Sequence, residues 1–121
     1  MSRVVHFEIP ADDPDRAVTF YSQVFGWNFN KWQGPNDYWL VKTGSGQPGI
    51  DGGLLRRPYP GAGTVNTVDV NSVDRVAQEV QDAGGKVVVP KMPIPGVGYL
   101  AYCQDTEGNT FGIMQADANA R

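Results

Sequence analysis

The run VVHFEIPADDPDRAVTFYSQVFGW, residues 4–27, decides how the rest of the chain is read. Its first part alternates. Val5, Phe7 and Ile9 form one face; Val4, His6 and Glu8 form the other. A period of two predicts a strand with one face on a core and a second face of different character. Pro10 ends that strand. Asp13-Pro14 then supplies a helix N-cap and a proline at the first helical position. Ala17, Phe20, Tyr21, Val24 and Phe25 follow as a helical apolar stripe. Gly26 falls where a left-handed residue stops a helix.

Three strand-like segments come next, at 27–32, 38–43 and 50–55, the last weakened by glycine. Turn residues separate them at 34–37 and 44–49. The order is β-α-β-β-β. Residues 57–63, with PYPGAG at their centre, read as a linker. The pattern then restarts. Residues 65–70 are strand-like, with Val68 and Val70 on one face. Ser72 caps a helix carrying Val73, Val76, Ala77, Val80 and Ala83, and Gly84-Gly85 end it. Strands are predicted at 86–89, 98–104 and 110–115. The Pro-rich stretch 90–95 reads as an irregular connection, 105–109 as a turn and 116–121 as a polar tail.

The restart is an internal repeat. One offset of 59 residues lays Asp15-Arg16 on Asp74-Arg75, Gly26 on Gly85, Gly49 on Gly108 and Gly53 on Gly112. Helix starts, helix stops and last strands coincide at that single offset. Each half is therefore a small twisted sheet with one covering helix. Its open face must be buried or used as a site.

Bulk properties narrow the function classes. A chain of 121 residues is expected to be one domain able to bury a core without staples. Module one covers about 3–56, the linker about 57–64 and module two about 65–115. The formal net charge is −3, so there is no basic footprint for nucleic acid. No apolar run is long enough to span a membrane, and no signal-peptide pattern opens the chain, so a cytoplasmic location is expected. The single cysteine, Cys103, excludes an internal disulfide framework and a cysteine-based zinc site. With no histidine or second cysteine near it in sequence, it reads as a small buried hydrophobe. Neither a phosphate-binding glycine loop nor a zinc-protease or serine-hydrolase motif is present.

Residues 4–27 resemble the first strand and helix of the vicinal oxygen chelate superfamily, the glyoxalase, bleomycin-resistance and extradiol-dioxygenase proteins. VDVNSVDRVAQEVQDAGGKVV, residues 68–88, resembles the start of that family's second module. DTEGNTFGIMQ, residues 105–115, resembles its closing strand. The resemblance implies an α+β fold in which two βαβββ modules form a half-open, barrel-like cup around a small-molecule cavity, commonly as a homodimer. Fold leaves function open in such a family, so function rests on the site.

Enzymes of the family hold one divalent cation with four His or Glu residues from the first and last strand of each module. The first position matches His6. The others fall on Val65, Gly53 and Gly112, whose side chains offer no lone pair. The expectation is a cavity without the usual metal site or any cofactor. A divalent metal, with His6 as a ligand and Glu8, Asp51 or Asp69 as substitute donors, is the alternative. It would make the chain a metal-dependent lyase, isomerase, dioxygenase or thiol transferase.

Several residues have a functional and a plainer reading. His6 and Glu8 share a face and are the candidate acid–base pair; as structural groups they would be a satisfied histidine and a solvated edge carboxylate. Thr67, the repeat partner of Glu8, could bond a ligand or simply suit a strand. Gly53 and Gly112 could enlarge the cavity or relieve crowding in a curved sheet. Tyr38 and Trp39 lead an aromatic group with Trp27, Phe29 and Trp32, which could wall a flat ligand or fill a core. Met114, with Tyr99 and Tyr102, could complete such a wall. The expected partners are a small-molecule ligand and a second copy of the chain.

Overall fold

A computed structural model describes residues 2–121. The elements are β1 (Val4–Ala11), α1 (Pro14–Phe25), β2 (Asn28–Lys31), β3 (Tyr38–Lys42), β4 (Asp51–Arg56), β5 (Val65–Asp69), α2 (Val73–Asp82), β6 (Lys86–Ile94), β7 (Gly98–Gln104) and β8 (Thr110–Ala116). This is βαβββ twice over. Contacts group His6–Thr64 into one compact unit, and residues 2–5 with 65–121 into another.

In module one, β1 pairs parallel with β4, β4 antiparallel with β3, and β3 antiparallel with β2. Module two repeats the scheme: β5 runs parallel to β8, β8 antiparallel to β7, and β7 antiparallel to β6. The repeat holds at the level of single residues. Glu8 lies opposite Gly53, and Thr67 opposite Gly112. The second pair lies 59 residues after the first.

The helix ends follow from local chemistry. Asp13 is extended and its carboxylate accepts from the Arg16 N–H, and Ser72 does the same for Arg75. Each satisfies one of the N–H groups that a first helical turn leaves without a partner. Gly26 takes φ 72° and donates its N–H to the Ser22 carbonyl. That conformation costs a residue with a Cβ about 1 kcal/mol or more.

Each helix covers one face of its own sheet. Ala11, Val41 and Leu54 are buried under α1 with Phe7, Ile9, Ala17, Val18 and Tyr21. Val70, Val73, Ala101, Cys103 and Ile113 form the core beneath α2. The stripe predicted for α1 is only partly inward. Ala17 and Tyr21 face the core, whereas Phe20, Val24 and Phe25 are more than half exposed. The five positions cover a wider arc than one small sheet can bury.

One expectation is corrected. Residues 90–95 are not an irregular connection, because β6 runs unbroken from Lys86 to Ile94 through Pro90 and Pro93. Only β7 pairs with it in this module, and its register shifts between Val87 and Val89 and between Val89 and Met92. An outer strand with bulges is where prolines are tolerated. The polar tail, residues 116–121, is tied back to the β6–β7 connection. The Gly96 N–H donates to the Ala120 carbonyl and the Asp117 N–H to the Val97 carbonyl, and Ala120 is buried.

Ser72→Ala is expected to lower the unfolding free energy by about 1 kcal/mol, read as a lower urea midpoint at unchanged denaturant slope.

Candidate functional site

Strand alternation divides module one into two faces. Phe7, Phe29, Trp39, Val41 and Leu54 point into the core beneath α1. Their neighbours point the other way. The pairings His6 with Asp51, Glu8 with Gly53, and Leu40 with both Gly53 and Asn30 place these residues on the opposite face. Tyr38 shares it, one strand step from Leu40. This face collects most of the chemistry singled out from the sequence.

At its centre, the Tyr38 hydroxyl lies 2.8 Å from His6 Nε2. The phenol reaches that point because residue 53 is glycine. A Cβ there would collide with the Tyr38 hydroxyl and ring. Trp32 meets the same ring edge-on, with centroids 6.4 Å apart and planes at 78°, and its backbone N–H donates to the Tyr38 carbonyl at 2.8 Å. A histidine at its tip, a glycine beneath it and a tryptophan at its flank thus help to hold the phenol. The space at Gly53 is filled by Tyr38, which agrees with the reading of this glycine as relief of crowding.

Burial drives the His6 pKa below its ordinary 6.5, and the Glu8 and Asp51 carboxylates pull in the other direction without overcoming it. The imidazole is therefore neutral at pH 7. Glu8 is buried. Asp51 accepts from the Thr43 N–H at 2.9 Å and from its hydroxyl at 3.2 Å. It closes the β3–β4 connection, a role with no counterpart in the sequence reading.

Trp39 was expected with Tyr38 in the ligand wall. Adjacent strand residues cannot share a face, and Trp39 packs into the helix-side core with the Lys31 ammonium 5.4 Å above its ring. Trp27 and Phe29 join that core as well. Trp32 is the member of the aromatic group that accompanies Tyr38. Asn30 and Leu40 were missed; their even-numbered phase with Tyr38 was the available signal.

Module two has an equivalent helix-free face. Thr67 pairs with Gly112, Asp69 with Met114, Met114 with Leu100, and Gly112 with Tyr102. A Cβ at Gly112 would come within 2.9 Å of the Thr67 hydroxyl oxygen. Thr67 is itself buried. Tyr99 lies on the α2 side, with the Lys91 ammonium 4.7 Å above its ring. Cys103 is fully buried, and desolvation pushes its thiol pKa up, which suits the core reading.

Among the described residues, no three His, Cys, Asp or Glu side chains come together in a way that could hold an ion. Two open depressions, of about 370 and 460 Å³, lie elsewhere in module one and share Asp12 and Arg57. There, Arg57 donates to Asp12 at 2.9 Å and to the Ala62 carbonyl, pinning the linker. Neither depression reaches His6.

Comparisons with known proteins agree with this architecture. Residues 3–44 match a family model described as bleomycin resistance protein-like N-terminal. A glyoxylase-like domain-containing protein of Didymella fabae is 31% identical over 112 residues, which cover 88% of each chain. CFP32 of Mycobacterium tuberculosis, provisionally named a glyoxylase, is 30% identical over 112 residues, 89% of this chain. That match spans only 42% of the mycobacterial protein's own length. Among solved structures, protein BH1468 of Bacillus halodurans superposes with a TM-score of 0.75 at 14% identity, covering 99% of this chain and 98% of the other. A methylmalonyl-CoA epimerase bound to methylmalonyl-CoA and NH4+ gives 0.71 at 18% identity, over 99% and 98%.

The chain belongs to the glyoxalase/bleomycin-resistance/dioxygenase superfamily, the vicinal oxygen chelate proteins. Within it, the chain is glyoxylase-like and bleomycin-resistance-like. No helix among the described residues is long and apolar enough to cross a membrane.

The depressed His6 pKa has a consequence for stability. Below about pH 6.5 the unfolded chain binds a proton that the folded chain resists, so stability falls as pH drops through the interval between the two pKa values. Thermal midpoints measured from pH 7.5 to 5 are expected to decline less steeply in His6→Gln than in the parent. Equal slopes would mean that the imidazole is not held neutral.

Proposed function

We propose that this chain is a small-molecule-binding module of the superfamily that works without a resident divalent metal. The carrying observation is the state of the four positions at which other members hold their ion. The one histidine, His6, is engaged by the Tyr38 hydroxyl, and Val65, Gly53 and Gly112 have no side-chain donor. The ligand would lie against the helix-free face of module one, where His6, Glu8 and Tyr38 stand; Thr67, Gly112 and Met114 occupy the equivalent face of module two. We further propose that the protein is a cytoplasmic homodimer, as is common in this family.

A second reading, a metal-dependent lyase, isomerase, dioxygenase or thiol transferase, draws on one specific observation. His6, Glu8 and Asp51 share a face, and the fold is that of a methylmalonyl-CoA epimerase. Against it, Asp51 is committed to Thr43.

Elemental analysis of protein purified without a histidine tag separates the two. The expected result is far less than one equivalent of zinc, nickel, manganese or iron. Adding each ion should leave the melting temperature unchanged, since an ion that binds only the folded state would raise it. One equivalent of metal, lost in His6→Ala, would overturn the proposal.

A further inference from the structure

We propose that the outer face of α1, built on Arg16, Phe20 and Val24, is where a second copy of this chain docks, the two helices packing antiparallel across a two-fold axis at Phe20. This rests on the homodimer reading and gives it a surface.

The internal repeat supplies the comparison. At the offset of 59 residues α1 falls on α2, with the N-caps Asp13 and Ser72 in register. The inward residues correspond. Ala17, Val18 and Tyr21 pack on one core, and Val76, Ala77 and Val80 on the other. The outward residues do not. Phe20 falls on Glu79, and Gln23 on Asp82. On α2 the Glu79 side chain is 64% exposed and lies 3.6 Å from Arg75, an i,i+4 ion pair suited to water. On α1 the counterpart of Arg75 is Arg16, and the place of Glu79 is taken by a phenylalanine that is 55% exposed. One scaffold thus carries a solvated outer face in module two and an apolar one in module one.

The exposed area is of interface kind. Val24 is 54% exposed and Phe25 59%. Two phenylalanines and a valine in that state leave ~250 Å² of apolar surface on one helix. Clustered apolar surface of this order marks contact sites. A standard interface takes ~800 Å² from each partner. The patch therefore suits its apolar centre, with the exposed Arg16 and Gln23 as polar rim.

The face is also complementary to itself. Arg16 stands in the first turn of α1, where the helix dipole opposes a cation. Among the described residues it makes no ion pair. At the same end Asp12 is paired with Arg57, and Asp13 caps the helix. Asp15 lies about 140° around the helix from Phe20. The last turn of α1 carries no basic residue. Arg16 and Val24 lie four residues to either side of Phe20. An antiparallel copy therefore brings Arg16 against Val24 of the partner subunit, beside the last turn, where the dipole favours a cation. The depression of about 370 Å³ lined by Arg16, Ala17 and Phe20 leaves room there for that valine. A two-fold axis makes the same contact twice.

The test is the association state of the full chain by sedimentation velocity, joined to disulfide trapping. The parent is expected to be a dimer. Phe20→Glu, which installs the residue type of the matching α2 position, should weaken dimerisation at least tenfold while the far-UV circular dichroism stays that of the parent. Arg16→Glu should weaken it as well, although an acid in the first turn favours the helix by itself. Phe20→Cys, next to the axis, should oxidise with diamide to a disulfide-linked dimer. Val88→Cys, at an exposed position of β6, should not. The natural Cys103 is fully buried and does not compete. If Phe20→Glu does not fold, Arg16→Glu and the trapping decide. A dimer untouched by Phe20→Glu, or Val88→Cys trapped as readily as Phe20→Cys, would overturn this surface and leave the homodimer reading standing. A monomeric parent would remove both. Neither outcome bears on the absence of a resident metal, which the elemental analysis decides.

Discussion

Parallel pairing of the first strand of each module with its last is the constraint from which the site follows. In module one it sets Glu8 opposite Gly53 and His6 opposite Asp51. In module two it sets Thr67 opposite Gly112. A slip of one residue would turn each set from the open face to the helix side. The register is held by burial on the other face, where Leu54 and Ile113 have almost no exposure. The core packing thereby dictates which polar groups meet on the face it does not cover.

That arrangement gives the two modules different characters on the same plan. The repeat positions hold Glu8 and Gly53 in one and Thr67 and Gly112 in the other. Only the first module places an aromatic hydroxyl over its glycine within reach of a histidine. In module two the glycine accommodates Thr67 and Leu100. A symmetric scaffold thus supports an asymmetric chemistry, with the histidine in the first half.

Much of this was legible in the sequence because it is local. The caps at Asp13 and Ser72, the stop at Gly26 and the 59-residue repeat all involve neighbours along the chain or a fixed offset. What escaped was set across strands. The contact of Tyr38 with His6 spans 32 positions, and no pattern within one segment encodes it. Trp39 was placed beside Tyr38 although alternation forbids a shared face; aromatic density outweighed phase in that reading. Pro90 and Pro93 read as an irregular connection because the sequence does not reveal that the strand is paired on one side within its module. The hydrogen bonds that tie down the polar tail run to Gly96 and Val97, about twenty positions back, beyond the reach of any local pattern.

The outer strands impose a further consequence. Any strand bordered on one side only offers a row of free backbone groups on which another chain can template itself. In module two that strand carries Pro90 and Pro93, each missing an amide hydrogen, and two irregularities that break its line. In module one the corresponding strand, β2, has four residues. Both rims are poor seeds for edge-to-edge, fibre-like stacking.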